Sequence, residues 1–191
     1  MDKIINWLKE NLSEERFLHS IGTAQMAEKL AAEFGLDVQK AGLAGLLHDC
    51  AKEIPYEKAL QIIKENNIDI DEDEIKSRKI IHAPMSAYVA QKEFEITDEE
   101  ILNAIRYHTI GRIGMTDFEK IIFLADKIEL NTRTEPFFEQ IRVELKNTHS
   151  LDKTLLLCSK MTIKSLLDRN LEINFKTIDL YNYLLKKVTS C

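Results

Sequence analysis

Apolar residues recur along this chain at the three- and four-residue spacing that is typical of amphipathic helices. No stretch shows the sustained alternation of apolar and polar residues that a half-buried strand requires. Glycine and proline, which would interrupt helices, number only 6 and 3 in 191 residues. The pattern therefore predicts an all-α protein.

Start and stop signals predict three helices in the first quarter of the chain. A short opening helix is expected from Asp2 to Leu12. Ser13 can cap a long second helix, and Gly35 can end it in the left-handed conformation. Asp37 can cap a third helix, whose small and apolar residues 41–47 suit a central position.

Pro55 ends this pattern, and the polar passage from Tyr56 to Ser77 is predicted to form a surface helix and a charged connection with few contacts. The later helices are predicted from about Pro84 to Glu93, from Asp98 to about His108, from the cap Asp117 through Ile128, and from roughly Pro136, Leu151 and Thr177 onwards. The chain is long enough for one sizeable core. Residues 1–191 are therefore interpreted as one helical-bundle domain.

Composition and charge narrow the class of protein. Hydrophobic residues make up 45% and charged residues 30%, which is typical of a globular protein. A net charge of -6 with dispersed basic residues disfavours nucleic-acid binding, which needs a cationic stripe. The apolar runs are shorter than the roughly 18 residues of a membrane span, so no membrane association and a cytoplasmic location are expected. Cys50, Cys158 and Cys191 lack the spacing of a disulfide framework or a thiolate metal site.

Six histidine and aspartate residues have the ligand chemistry of divalent metal ions. They are His19, His48, Asp49, His82, His108 and Asp126. Iron, manganese and zinc accept imidazole and carboxylate ligands, and six such groups can hold two ions. A single histidine on an apolar helix face is more often a hydrogen-bonded core residue, but a carboxylate there needs a compensating partner. Six independent coincidences are improbable, so a metal site is the better interpretation.

Two adjacent ions would make this a site for phosphoryl transfer. They can activate a water molecule, so that a metal-bound hydroxide attacks phosphorus, and they can hold the phosphate oxygens. Asp49 and Lys52 are the predicted catalytic residues. Lys52 lies one helical turn after His48 and can neutralise charge on the phosphate, although an exposed lysine after the helix explains it equally well.

Several other residues are expected to contact the substrate. Arg112 follows Gly111 in a loop whose backbone can approach a phosphate closely, and a planar guanidinium can bind two phosphate oxygens. The predicted substrate-binding residues are Arg16, His19, Thr109, Gly111, Arg112, Asp126 and Arg133.

Two of these arginines have an alternative interpretation. Arg133 can reach a polyphosphate, but an ordinary surface arginine is the more conservative reading. Arg16 can bind phosphate or pair with a second carboxylate such as Glu129.

From about Arg16 to Tyr183 the chain resembles the YqeK-type HD-domain family, and five segments carry this resemblance. Residues 16–22, 41–52, 81–84, 104–112 and 125–129 read RFLHSIG, AGLAGLLHDCAK, IHAP, AIRYHTIGR and ADKIE. The YHTxGR and ADxIE segments discriminate better than the His-Asp pair itself. Ile110 departs from the family pattern, which has a second threonine at this position.

The resemblance implies an HD-superfamily helical domain and a bacterial bis(5'-nucleosyl)-tetraphosphatase that splits diadenosine tetraphosphate symmetrically into two ADP. It also implies two divalent ions, with iron expected and manganese as the alternative. In this arrangement Asp49 bridges the ions, His19, His48 and Asp126 complete the first, and His82 and His108 hold the second. Hydrolysis of another nucleotide and non-catalytic sensing of ADP or GDP remain open, as does a homodimer.

Overall fold

The computed structural model describes residues 2–190, and within this range the protein consists of eleven α-helices without a β-strand. The all-α prediction is therefore confirmed. None of the helices in this range is long and apolar enough to cross a membrane. The helices are α1 Asp2–Asn11, α2 Glu14–Phe34, α3 Val38–Leu47, α4 Tyr56–Asn66, α5 Glu72–Ile75, α6 His82–Phe94, α7 Glu99–Tyr107, α8 Asp117–Ile128, α9 Pro136–Thr148, α10 Leu151–Asp168 and α11 Phe175–Thr189.

Cap geometry confirms several predicted helix boundaries. Gly35 ends α2 with a φ of +69°, a conformation that favours glycine. The Asp37 side chain accepts the backbone N–H of Lys40 at 3.0 Å, at the start of α3. Ser13 occupies the N-cap position of α2, but its side chain makes no capping hydrogen bond. The backbone conformation therefore starts α2 without help from that hydroxyl.

The predicted cap of α8 was wrong by one residue. Thr116, and not Asp117, accepts the backbone N–H of Glu119 at 3.1 Å. The Glu119 carboxylate in turn accepts the backbone N–H of Thr116 at 3.0 Å, which completes a capping box. Asp117 is the first helical residue, where an acidic side chain is still favourable.

Two other helices begin earlier than predicted. Helix α6 starts at His82, which places Pro84 in its first turn. The helix tolerates proline there, because proline lacks a backbone N–H and the N–H groups of the first turn have no intrahelical acceptor. His82 is thus the first residue of the helix and does not precede it. Helix α11 starts at Phe175, because the Asn174 side chain caps it by accepting a backbone N–H at 3.0 Å.

Helix α8 is the central element of the bundle. It packs against α2, α3, α7, α9 and α10, and every residue from Phe118 to Asp126 is buried. Helices α2 and α3 pack closely together on one side, while α6 pairs with α7 and α10 with α11. This packing encloses the last turn of α8, which carries Asp126.

The segment from Tyr56 to Ser77 contacts the other helices little, as predicted, but it carries one buried charge. It forms α4 and the single turn α5, and Glu74 of α5 is completely buried. The Glu74 carboxylate pairs with the Arg106 guanidinium of α7 and lies 3.4 Å from Nζ of Lys176 in α11. A buried carboxylate needs such partners. The expectation of few contacts is borne out, but the burial of Glu74 was not predicted, because both of its partners lie far away along the chain.

The described cysteines are free thiols in the core. Burial raises the pKa of Cys50 to about 12 and that of Cys158 to about 11. Neither is therefore a thiolate at neutral pH. Cys191 lies outside the described residues.

Candidate metal centre

The six predicted ligands meet at one point in the bundle. All of them are buried, with at most 4% of any residue exposed. His19 lies in α2, His48 and Asp49 follow α3, His82 begins α6, His108 follows α7, and Asp126 belongs to the last turn of α8. Five elements therefore contribute to one cluster.

Three of these residues form one half of the cluster. His19 Nε2 lies 2.9 Å from Asp126 Oδ1, and His48 Nε2 lies 3.3 Å from His19 Nε2 and 3.8 Å from Asp126 Oδ1. These atoms lie within 4.8 Å of one another, which is close enough for a shared metal ion. The donor set of two imidazoles and one carboxylate suits a divalent transition metal.

Asp49 connects this half to a second one. Asp49 Oδ1 lies 3.1 Å from His82 Nε2 and 3.3 Å from His108 Nε2. Asp49 Oδ2 points the other way and lies 3.7 Å from His48 Nε2. One carboxylate therefore presents an oxygen to each half of the cluster.

The helix ends orient two of the imidazoles. His48 and His108 both occupy C-cap positions, where carbonyl groups lack intrahelical donors. His48 Nδ1 donates to Gly45 O at 2.7 Å, and His108 Nδ1 donates to Ile105 O at 2.8 Å. Each bond occupies Nδ1 and directs the Nε2 lone pair into the cluster, as in metal-binding histidines.

Burial and charge also favour the ligand forms of these groups. Burial lowers the pKa of His48 to about 3 and that of His82 to about 4, so both are neutral at pH 7. Burial opposes ionisation of Asp49 and Asp126. A hydrogen bond with His82 for Asp49, and Lys127 and a hydrogen bond with His19 for Asp126, nevertheless hold both carboxyl pKa values well below their usual range. His48 and His82 are thus ready to bind a metal, whereas hydrogen bonds to Asp126 and Glu129 raise the pKa of His19, although burial opposes its protonation, so a metal ion would have to displace a proton there.

Four cationic side chains surround the two carboxylates. Arg16 Nη1 and Lys52 Nζ each lie 3.5 Å from an oxygen of Asp49. Arg133 Nη2 lies 3.0 Å and Lys127 Nζ 2.5 Å from oxygens of Asp126. All four side chains are partly exposed, so they border the cluster where solvent reaches it.

The contacts in the structure narrow the alternative roles that the sequence left open for Arg16 and Arg133. Arg16 pairs with Asp49, and its predicted pairing with Glu129 does not occur among the described residues. Arg133 is held at the site and is not an ordinary surface arginine. Burial lowers the pKa of Lys52, whose Nζ also lies 2.8 Å from His82 Nε2. Lys127 was missed, because a lysine near a helix end is usually solvated.

The predicted loop residues lie in two different environments. Thr109 Oγ1 is at the cluster, 3.1 Å from His82 Nε2 and 3.0 Å from His108 Nε2. Arg112 instead pairs with Glu119 and lies 4.3 Å from the centre of the Tyr107 ring. Gly111 has a φ of +69° and packs against α11. Arg112 makes no hydrogen bond to the six ligands within residues 2–190.

Glu129 has a role that the sequence did not reveal. Its Oε1 accepts a hydrogen bond from His19 Nδ1 at 3.2 Å, and its carboxylate also accepts the backbone N–H groups of Asn131 and Thr132. These bonds lower the pKa of Glu129 to about 2, although burial opposes its ionisation. Gly22 leaves room for this carboxylate, since a Cβ there would collide with it. The ADKIE segment was the available signal.

Replacing Glu129 with glutamine is expected to weaken metal binding about 10- to 100-fold. Both carboxylate oxygens accept N–H groups, so the new amide must turn an NH₂ group towards a donor and disturb the orientation of His19. Competition with a chromogenic chelator would measure Mn²⁺ affinity. Glu65→Gln is the control, because Glu65 is exposed on α4 and pairs only with Gln61 among the described residues, outside the centre. Equal Mn²⁺ affinities for both variants would show that Glu129 does not tune the centre.

Comparison with known proteins identifies the class to which this fold and centre belong. The HD domain family matches residues 16–131, which include all six ligands. A solved structure of a predicted HD superfamily hydrolase involved in NAD metabolism, from Clostridium acetobutylicum, has a TM-score of 0.91, 36% identity and 97% coverage of both chains. The chain therefore belongs to the HD-domain family.

The curated relatives that match nearly the full chain include two proteins named bis(5'-nucleosyl)-tetraphosphatase, symmetrical. The Staphylococcus aureus protein is 41% identical over 183 residues, which cover 96% of this chain and 93% of the relative. The Bacillus subtilis protein is 39% identical over 181 residues, which cover 93% of this chain and 94% of the relative. The resemblance inferred from the five sequence segments is thereby confirmed.

Proposed function

We propose that this chain hydrolyses dinucleoside tetraphosphates symmetrically and converts diadenosine tetraphosphate and water into two ADP. The position of Asp49 carries the proposal, since its two oxygens face separate ligand groups. A carboxylate placed in this way can bridge two ions, and two-ion sites are typical of phosphoryl transfer. The names of relatives that match nearly the full chain support the choice of substrate.

The residues present fit two divalent ions. His19, His48 and Asp126 would hold the first, His82 and His108 the second, and Asp49 both. We propose iron, with manganese as the alternative, because mixed imidazole and carboxylate donors suit both metals. Such ions, when bound, supply the Lewis acidity that activates water and offsets phosphate charge.

The four cations would bind the polyphosphate. Arg16, Lys52, Lys127 and Arg133 contact the same carboxylate oxygens that would serve as ligands. Once Asp49 and Asp126 are engaged as ligands, these cations can turn to the phosphate oxygens. Lys52 and Thr109 lie on the His82 side, and Arg133 and Lys127 lie on the Asp126 side. Phosphate charge could then be offset from both sides of the centre.

The reaction breaks the central phosphoanhydride bond. The water oxygen bonds to one inner phosphorus, and the bond from that phosphorus to the central bridging oxygen breaks. The departing ADP keeps this oxygen, and the protons of the water pass to solvent. Because ADP is stable as an anion, little acid assistance is needed, and positioning and charge compensation carry the reaction.

Arg112 and Gly111 remain proposed phosphate contacts, but Arg112 would have to exchange its partner. Its guanidinium is held by Glu119, and this bond raises its pKa. The substrate would have to compete with a buried carboxylate for the same donors. Arg112 is therefore proposed as a contact that forms after substrate enters.

We further propose a cytoplasmic enzyme of bacterial type that acts without nucleic acid or membrane. The net charge of -6 supports this, because a nucleic-acid surface needs clustered cations. The buried free thiols are compatible with a reducing compartment. Light scattering coupled to gel filtration would decide between a monomer and the homodimer that the sequence leaves open.

The decisive test of this function is product analysis. The protein, loaded with iron or manganese, is incubated with diadenosine tetraphosphate, and the products are separated by ion-exchange chromatography. ADP alone, absent from a chelated sample, is the expected result. ATP and AMP would place the attack at an outer phosphorus. An absence of metal-dependent turnover would favour a different nucleotide substrate or the non-catalytic sensing of ADP or GDP.

A further inference from the structure

A buried ion pair joins the segment that leads to His82 with the helix that ends beside His108. Glu74 of α5 is completely buried, a rare state for a glutamate. The Arg106 guanidinium of α7 donates to both of its carboxylate oxygens, from Nη1 to Oε1 at 3.1 Å and from Nη2 to Oε2. Such a forked pair fixes both the distance and the orientation of its two partners.

Glu74 is connected to His82 by consecutive backbone turns. The backbone N–H of Ser77 donates to Glu74 O at 3.1 Å, that of Ile80 to Ser77 O at 3.0 Å, and that of Ala83 to Ile80 O at 3.1 Å. The last of these turns contains His82. Because hydrogen bonds link one turn to the next, a displacement of Glu74 would be passed on to His82.

Arg106 is connected to His108 within a single helical turn. It lies in the last turn of α7, two residues before His108, whose Nδ1 donates to Ile105 O in the same turn at 2.8 Å. Nε2 of His108 and Nε2 of His82 lie 3.2 Å apart. The ion pair therefore closes a ring that runs from Glu74 through both histidines of the second ligand group and back through Arg106.

The first ligand group lies outside this ring. His19 belongs to α2 and Asp126 to α8. Within residues 2–190, no side-chain hydrogen bond or ion pair of Glu74 or Arg106 reaches either helix. A change in the ion pair should therefore act on one half of the metal centre.

We propose that Glu74 is a positioning residue that sets the separation of His82 and His108 through Arg106, and thereby the affinity for the second ion. The inference rests on the proposed function, because it requires a centre that holds two ions. Helices α6 and α7 also pack against each other, but apolar packing has no preferred direction, whereas a forked ion pair does.

Glu74→Gln tests the proposal, because glutamine keeps the shape of glutamate but accepts through only one oxygen. In a titration with Mn²⁺ followed by electron paramagnetic resonance, the first ion should bind as in wild type and the second about tenfold more weakly. The signal of an isolated ion should then persist at Mn²⁺ concentrations where wild type gives that of a coupled pair. Circular dichroism would verify the helical content.

A double variant covers the case in which Glu74→Gln alone does not fold. Glu74→Gln leaves the nearly buried Arg106 without its carboxylate, and an unpaired buried charge is strongly destabilising. Glu74→Gln/Arg106→Gln removes both charges of the pair, and Lys176 beside it is exposed enough to be hydrated. The double variant also lacks the forked contact, so it should show the same loss of affinity for the second ion.

Leu184→Ala is the control for a general loss of stability. Leu184 is buried in α11, so alanine there leaves a cavity in the core without changing the ion pair. Both of its Mn²⁺ affinities should equal those of wild type. The positioning role is wrong if the Glu74 variants bind the second ion as tightly as wild type, if the first ion weakens as much as the second, or if Leu184→Ala shows the same loss. A wild type that never gives a coupled-pair signal would instead contradict the proposed two-ion function, so the two failures are distinguishable.

Discussion

Asp49→Asn is expected to lose metal from both halves of the centre and to lower turnover by at least about 10³-fold. Two ions supply several kcal/mol of transition-state stabilisation, and each 1.36 kcal/mol corresponds to tenfold in rate. Asparagine keeps the shape of Asp49 but offers one oxygen, whereas Oδ1 and Oδ2 face different ligand groups. The NH₂ of asparagine must therefore face one of the two sets of ligands, where it is a hydrogen-bond donor and cannot replace a carboxylate oxygen.

The helical fold should survive this substitution. The cations left beside position 49 are Arg16 and Lys52, whose side chains are 35% and 26% exposed and can be hydrated. Mass spectrometry would measure the metal content, steady-state kinetics the turnover, and circular dichroism the helical content. Asp179→Asn, an exposed carboxylate change on α11, is the control. A full metal content with turnover within tenfold of wild type would contradict a bridging role for Asp49.

The candidate ligands stand out in the sequence because each poses a local problem that the sequence makes visible. Asp126 lies on a helix of apolar residues, where a charge needs compensation, and His48 and His108 close such helices. Their convergence follows from packing around α8. The helices could be predicted for the same reason, because the spacing of apolar residues and the cap residues are signals that lie within a few positions of each other along the chain.

The contacts that the sequence did not predict involve partners far apart along the chain, or a side chain for which two partners compete. Glu129 orients His19, which lies 110 positions away. Glu74 is buried only because Arg106 and Lys176 reach it from other helices. Arg112 had the right chemistry for phosphate, but Glu119 competes for its guanidinium. A local pattern shows which groups are available and not which partner each one takes.

His82→Ala should separate the two halves of the centre. His82 contacts Asp49 Oδ1 and His108 and makes no hydrogen bond to His19 or Asp126 among the described residues, so the first group of ligands remains intact. The variant is expected to lose or weaken only the second ion, to keep its helical content and to fall about 10²-fold in kcat/KM.

Titration with Mn²⁺, followed by electron paramagnetic resonance, can test this separation directly. Wild type should give the signal of a coupled pair, whereas His82→Ala should give that of an isolated ion. His149→Asn is the matched control, because His149 is exposed, lies outside the centre and has a positive φ that asparagine tolerates. A coupled-pair signal and unchanged turnover in His82→Ala would refute the two-ion centre. Loss of both ions would mean that the halves bind metal only together, with Asp49 as the group that couples them.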